Sequence, residues 1–442
     1  MLKKLFGIGF VVSLLSMALV GFAQEDAACM VSVPEESVEI DFIGWTFPIT
    51  EIYREQLEMC NQVENISVNT QMFDSASAKE NMALALSAGG DSPYEIVHVD
   101  DASIVEYASE EWLMPLGDLI EQYGEEYNLD GIPQTLYDSA TYQDEVYGIP
   151  IIANTMHLFY RSDLLEEYGL DVPETYDDVI NACGVLSEEE SIDLPFTINL
   201  HAGWAWRIEF HNFLGSYGGE WLNEDSTPAF NSEAGVAAVK KMLEVVDACM
   251  GPEGLTYSID VSQQALQDGD LAMALTWASR AATMDDEMMT SPDVLGLIEF
   301  APAPRANPDG AYSGPAATDF YAIPANVTVD PEIIFEVIME AADAESQAQA
   351  VAQGIVSRTE VAQGGDGGRN LEAASTTISE GVGSYGTDPA VGIAQNAIAN
   401  TLPNAADLDL SAEDIDAQIQ ALLDEAAESY IQEATAQGYI TE

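Results

Sequence analysis

The chain has 442 residues, with 77 Asp plus Glu against 12 Lys plus Arg, a formal net charge of −65. At roughly 100–200 residues per domain this length suits two or three units with a sizeable core, and an apolar share of 47% excludes wholesale disorder. No basic footprint exists for phosphates, so nucleic acid is excluded as a partner, and an anionic membrane surface repels such a chain. Acid spread along a folded chain reads as a surface kept hydrated in concentrated salt, which screens the self-repulsion; an acidic protein of an ordinary medium is the alternative.

The first predicted element is a secretion signal over residues 1–23. Lys3 and Lys4 precede an apolar stretch from Leu5 to Val20, and Gly21-Phe22-Ala23 places small residues at −3 and −1 of a cleavage after Ala23. An uncleaved membrane anchor is the alternative, because the stretch approaches spanning length. Asp26, three residues before Cys29, does not suit a lipoprotein signal. The mature chain is therefore expected to be soluble and periplasmic or otherwise extracytoplasmic. Its four cysteines, Cys29, Cys60, Cys183 and Cys249, suit an oxidising compartment. Pairing 29–60 with 183–249 is the simplest of three connectivities, and four buried thiols are the alternative. Cys-x-x-Cys is absent, so zinc and thiol-redox chemistry have no support.

After residue 35 strand and helix patterns alternate. Val38–Ile43 reads as a strand, Ile49–Cys60 as a helix, and Ile66–Met72 as a second strand. Ser77 with Glu80 forms a capping box for a helix through Leu86 that Gly89-Gly90 stops. Tyr94–Val99 is a third strand ending at Asp100-Asp101. This spacing predicts right-handed βαβ crossovers and a largely parallel sheet. A second unit is expected to begin near Tyr147-Gly148-Ile149-Pro150. Thr175 with Asp177 and Asp178 starts a helix there, and Phe196–Leu200 returns as a strand. The stretch Phe300–Pro315, with Pro302, Pro304, Pro308 and Pro315, reads as a crossing between units. From Asp330 the chain is Ala-rich and helical, interrupted by Gly364–Gly368, and the tail after Ala405 reads as a solvated helical face.

Several stretches resemble, in order, the extracellular solute-binding proteins of ABC importers, in particular the family 1 sugar binders. Leu84–Pro93 followed by Val97-His98-Val99-Asp100 is similar to that family's helix–glycine–proline–strand element, and Trp112–Leu116 to its continuation. The most specific likeness runs through Tyr147–Pro150, Leu158–Leu164 and Tyr168–Tyr176. Ala265–Met273, with Trp277 after it, resembles the family's Gly-x-x-Ala-Met strand. The likeness covers roughly residues 38 to 360. It departs at Arg161-Ser162, Tyr176 and Tyr94, which stand where the family usually has Asn-Lys, Trp and Asp. The resemblance implies an α/β, two-lobe periplasmic-binding-protein fold, with a ligand cleft between the lobes and several hinge crossings. The lobes are expected to be discontinuous, 24–148 with 303–345 and 149–302 with 346–442. It also implies a small-molecule ligand, a sugar, and ABC permease subunits in the membrane as partners, with the receptor itself a monomer.

Ligands of open α/β sheets sit outside the carboxyl ends of strands. That selects Trp45, Asp74, Asp100 and Asp101. Carboxylates accept strong hydrogen bonds from sugar hydroxyls and aromatic rings cover C–H faces. Helix capping is an equal reading for Asp74 and Asp101, and core packing for Trp45. In His201–Glu209, Trp204 and Trp206 cannot share one helix face, so one is expected to pack and the other to reach the cleft. Trp277 is expected to stack on ligand, with Tyr312 and Asp319 as further candidates. Cations are scarce enough to weigh singly. Arg280 and Arg358 are expected near the cleft, as donors to ligand or as structural ion pairs.

Other function classes find less support. Carboxylates are so abundant that no pair identifies a glycosidase, and Gly-x-Ser-x-Gly, His-Glu-x-x-His and P-loop motifs are absent. Gly381-Val382-Gly383-Ser384-Tyr385-Gly386 matches Gly-x-Gly-x-x-Gly, yet no strand is expected to lead into it, so it reads as a loop rather than a dinucleotide site. His98, His157, His201 and His211 show no metal-ligand spacing, and no cofactor is expected. A polyamine or other non-sugar solute in the same fold is the remaining alternative, since an acidic cleft attracts cations.

Overall fold

A computed structural model describes residues 29–189, 191–364, 368–386 and 388–440, so the expected signal segment lies outside the described residues. Among the described residues fourteen strands run β1 Val38–Trp45, β2 Ile66–Phe73, β3 Ile96–Asp100, β4 Thr141–Tyr142, β5 Glu145–Val146, β6 Ile149–Asn154, β7 Met156–Arg161, β8 Leu194–Thr197, β9 Leu271–Trp277, β10 Ile298–Ala301, β11 Tyr312–Pro315, β12 Ala317–Ala322, β13 Ile355–Val356 and β14 Gly381–Gly383. A six-stranded sheet has the order β13-β6-β12-β3-β1-β2, and a four-stranded sheet the order β10-β7-β9-β8. Each carries its own buried core, one around Phe42, Tyr53, Ile151 and Phe335, the other around Phe196, Phe210, Met273 and Tyr430. Two α/β lobes result.

The β1–β2 and β1–β3 pairs are parallel, as the alternation of strand and helix predicts. The sheet is nevertheless mixed. Strand β12 enters antiparallel to both β3 and β6, and β13 antiparallel to β6. In the second sheet β7 is antiparallel to β9 and β10, and only β8–β9 is parallel. The antiparallel members come from the crossings, which local alternation does not encode. Because β6 belongs to the first sheet and β7 to the second, the first crossing falls at Thr155 rather than at residue 148. The return falls at Ala316, between β11 and β12, rather than at residue 302. Strand β13 keeps the chain in the first lobe beyond residue 345, and the Leu371–Glu380 helix then packs on the second.

Local signals account for many boundaries. Thr175 and Asp178 form the reciprocal capping box that opens the Tyr176–Leu186 helix. The expected Ser77–Glu80 box does not form. The helix opens earlier, at Ser75, and Asp74 is its cap, accepting the Ser77 N–H at 3.0 Å. The β4–β5 hairpin turns on Gln143 and Asp144, both with positive φ, the mirror-image turn geometry that matches strand twist. Disulfides join Cys29 to Cys60 and Cys183 to Cys249, with Cα separations of 5.0 and 5.3 Å. The first ties the start of the described chain to the helix Pro48–Met59. Among the described residues no helix is long and apolar enough to cross a membrane.

Buried titratable groups make stability depend on pH. Burial pushes the Glu209 carboxyl up to about 8, although it accepts the Asn199 N–H, and pushes Glu340 up to about 7. Burial depresses His157 and His211 to about 4. Carboxyls raised in the folded state keep protons that the unfolded chain releases above 4.5, so they lose stability as pH climbs toward 8. The depressed imidazoles act oppositely, gaining stability as pH rises through 6.5, and their slope fades about one pH unit higher, so they offset only part of the carboxyl loss. Urea titrations should therefore show stability falling between pH 6.5 and 8, by about 1–2 kcal/mol from Glu209 alone. In Glu209→Gln that decline should shrink; an unchanged slope would assign it to other groups.

Candidate functional site

The first and second crossings bring the carboxyl end of β3 opposite the second lobe, and a cleft of about 420 Å³ lies between them. Both walls mix polar and apolar groups. The first lobe contributes Asp74, Lys79, Asp100, Asp101 and Asp319, and the second contributes Trp204, Ile208, Ile259 and Trp277 together with Arg207, Asp260 and Arg280. Three helices begin at the rim, Ser75–Ser87, Gly203–Ser216 and Ile259–Asp268. Their first N–H groups, positive ends of helix dipoles, favour oxygen-bearing ligands.

The carboxylate-bearing wall is built by strand register. Asp319 of β12 stands opposite Asp100 of β3, and Asp101 follows directly, its N–H donating to the Thr318 carbonyl. Three carboxylates thus share one patch. Lys79 donates to Asp100 Oδ2 at 2.5 Å. Burial raises the Asp100 carboxyl, but the Lys79 ammonium outweighs it and holds the group below the usual range. Asp101 has no such partner; burial, then Asp100 and Asp319, push it well above its ordinary value. His98 lies behind, fully buried, with Nε2 3.6 Å from an Asp319 oxygen. At the first crossing, Asn154 Oδ1 accepts the N–H groups of Thr155 (3.0 Å) and Ser279 (3.3 Å).

Of the residues expected at the site, Asp74, Asp100, Asp101, Trp204, Trp277, Arg280 and Asp319 line the cleft. Asp74 does so while capping its helix. Arg280 donates to Gln263 at 2.9 Å and pairs with Asp260 at 3.0 Å. Trp277 is the last residue of β9 rather than beyond it. Trp45 touches the cleft but is 7% exposed. One of its faces stacks on His98 at 3.6 Å, and Lys79 Nζ lies 5.3 Å from the ring centroid, so its faces are committed to the protein.

Three expectations are corrected. Trp206 is a core residue whose Nε1 donates to the Leu200 carbonyl, while Trp204, two positions earlier on the same helix, faces the cleft. Tyr312 lies in β11 under the Arg305 guanidinium, 3.7 Å from its centroid, away from the cleft. Arg358 is 2% exposed inside the first lobe and ties carbonyls together. It donates to Ala342, at the end of the Pro331–Ala342 helix, and to Asn128 and Tyr127. It is neither a ligand donor nor an ion pair.

A family model for bacterial extracellular solute-binding proteins matches residues 58–348. The chain belongs to this family. A lactose-binding protein of Rhizobium radiobacter is 22% identical over 272 residues, 60% of this chain and 60% of that protein. A mannitol-binding protein of Pseudomonas aeruginosa is 24% identical over 27% of each chain. Among solved structures, a ribitol complex of an ABC transporter solute-binding protein from Agrobacterium radiobacter is 19% identical with a TM-score of 0.75, covering 90% of this chain and 99% of that one. MalE3 of T. maritima, bound to maltose, is 19% identical with a TM-score of 0.73, covering 90% of this chain and all of that one. At such identities these likenesses show the two-lobe fold.

This solute-binding protein also places at its cleft residues that the sequence reading missed. They are Lys79, Asn154, His201, Arg207, Asp260 and Tyr385. Scarcity was the available signal for two of them, since only ten Lys and Arg follow residue 23 and Lys79 and Arg207 are among these. His201 meets Trp204 edge-on at 5.5 Å and holds that ring's approach. Among the described residues the one cluster with potential metal-ligand spacing is Cys29, Cys60 and Glu340, and both sulfurs are already joined in a disulfide.

The reassignment of Arg358 is testable. Arg358→Met leaves buried carbonyls without donors and should cost about 2–4 kcal/mol in urea unfolding. Affinity for a cleft ligand should be unchanged, and a selective loss of binding would return Arg358 to the site.

Proposed function

We propose that this protein is an exported receptor that captures a carbohydrate, a mono- or oligosaccharide, between its lobes and delivers it to an ABC importer. The observation that carries the reading is the meeting of aromatic rings and carboxylates across one cleft. Half-buried Trp204 and Trp277 present flat apolar faces from one lobe, and Asp100, Asp101 and Asp319 present acceptors from the other. A sugar ring has C–H faces and a hydroxyl periphery, which such a pair of walls matches. Relatives named for lactose and mannitol binding support it. Residues 1–23 act as the secretion signal in this reading, the mature receptor is a periplasmic monomer, and it performs no chemistry. Ligand shifts an open–closed population by binding the closed form better.

Thermal unfolding across lactose, maltose, mannitol, ribitol, spermidine and amino acids tests this. A ligand at about a hundredfold excess over its Kd adds about 2.7 kcal/mol of apparent stability. A shift with one sugar or polyol is expected, and Trp204→Ala or Trp277→Ala should weaken that binding about 10-fold or more at unchanged ligand-free stability. A shift with spermidine alone would replace the sugar with a polyamine.

We also propose that the −65 charge suits a saline habitat. Raising NaCl from about 0.1 M to about 1 M shortens the Debye length from about 10 Å to about 3 Å and should raise the unfolding midpoint. A midpoint that stays flat or falls would sink this.

A further inference from the structure

The glycine-rich stretch Gly381–Gly386 has a place in the fold that explains its pattern. Strand β14 runs parallel to β11, and the Gly383 carbonyl accepts the N–H of Ala316 at 2.9 Å, on the second crossing between the lobes. Gly383 and Gly386 have φ of 82° and 94°, which side chains with a Cβ rarely adopt, and the two reversals carry Tyr385 into the seam. The Tyr385 ring packs on His211 at 4.4 Å. His211 is held in turn by the Trp221 indole, which donates to Nδ1 at 3.0 Å, and by the Gly383 carbonyl, 3.4 Å from Nε2. Tyr385 is thus positioned by a rigid aromatic stack rather than by its own hydroxyl.

That hydroxyl is buried and has no hydrogen-bond partner among the described residues. Tyr385 is 5% exposed and lines the cleft. Burial, with Asp101 next in weight, keeps the phenol protonated far above its ordinary value, so it is a donor. From the other lobe, Asp101 is also 5% exposed and lines the same cleft, with Oδ2 unpartnered. Arg207 brings a buried Nε–H without a partner to the same wall as Tyr385. Buried polar atoms are seldom left unpaired, because each costs about 1–3 kcal/mol. Here an unpaired donor of one lobe and an unpaired acceptor of the other meet at one cleft without bonding each other.

We infer that Tyr385 and Asp101 read one ligand hydroxyl across the lobe seam, the hydroxyl accepting from the tyrosine and donating to the aspartate. This rests on the carbohydrate reading and narrows it to a neutral hydroxyl at the deep end of the cleft. An ammonium could donate to Asp101 but could not accept from Tyr385. A carboxylate could accept from Tyr385 but would face the Asp100 charge, whose carboxyl is held below the usual range. A hydroxyl does both, and because its two partners belong to different lobes, its binding favours the closed form.

Tryptophan-fluorescence titration of the intact protein in high salt tests this, with lactose, maltose, mannitol, ribitol and spermidine as probes. For a sugar or polyol that the unaltered protein binds, Tyr385→Phe, which removes one oxygen, should weaken binding about 10-fold or more while the ligand-free unfolding midpoint holds. Asp101→Asn should also weaken it, and the double variant should lose less than the product of the two single losses, since both read one group. Sugar binding that Tyr385→Phe leaves intact would overturn the inference and leave the carbohydrate reading standing. Binding of spermidine alone, or of no probe, would overturn the carbohydrate reading and the inference with it.

Discussion

The seating of β12 between β3 and β6 is the constraint on which the cleft depends. A strand from late in the chain enters a sheet begun nearly three hundred residues earlier, and its register puts Asp319 opposite Asp100. That pairing gathers the carboxylates and places Asn154 and Ala317 as partners at the lobe junction. It also brings the second crossing, at Ala316, beside the first, at Thr155. Crossings set side by side in this way form a hinge geometry suited to opening and closing. Carboxylates fixed to the first sheet and aromatic rings fixed to the second lobe thereby line one cleft.

Charge is distributed by the same economy of cations. With so few basic residues, each has a defined task in the described structure. Arg358 ties carbonyls within the first lobe, Arg305 covers Tyr312, and Arg369 pairs with Asp285 and Glu299 on the second. Lys79, Arg207 and Arg280 stand at the cleft. They partly offset five aspartates there, Asp74, Asp100, Asp101, Asp260 and Asp319. The cleft is less one-sided than the surface around it. This favours a neutral polar ligand, since neither sign of charge is cleanly matched.

The glycine-rich loop and the His211–Trp221–Tyr385 stack show how the second lobe holds polar groups at the seam. The stack fixes a ring without using its hydroxyl, which leaves that hydroxyl free for recognition. Trp45 and His98 do the converse in the first lobe. Their stacked faces are spent on each other, so Trp45 acts as the support beneath Lys79 and not as a platform for ligand.

Much of this was legible in the residues themselves. Alternating strand and helix patterns placed β1, β2 and β3 within a few residues, and the ends of those strands named Asp74, Asp100 and Asp101, because side-chain periodicity and turn chemistry are local properties. Incompatible helix faces correctly separated Trp204 from Trp206. What stayed hidden was long-range. Nothing local says that β6 and β13 join the first sheet, that β12 inserts antiparallel, or that Tyr385 crosses to face Asp101, because each depends on pairing between distant segments. Arg358, expected as a cleft donor or a structural ion pair, became a carbonyl clamp for the same reason. Sequence determined the two-lobe α/β class and the chemistry available at strand ends; the tertiary structure alone decided which of those groups share a cleft, since side chains are brought together by register and crossing, not by order along the chain.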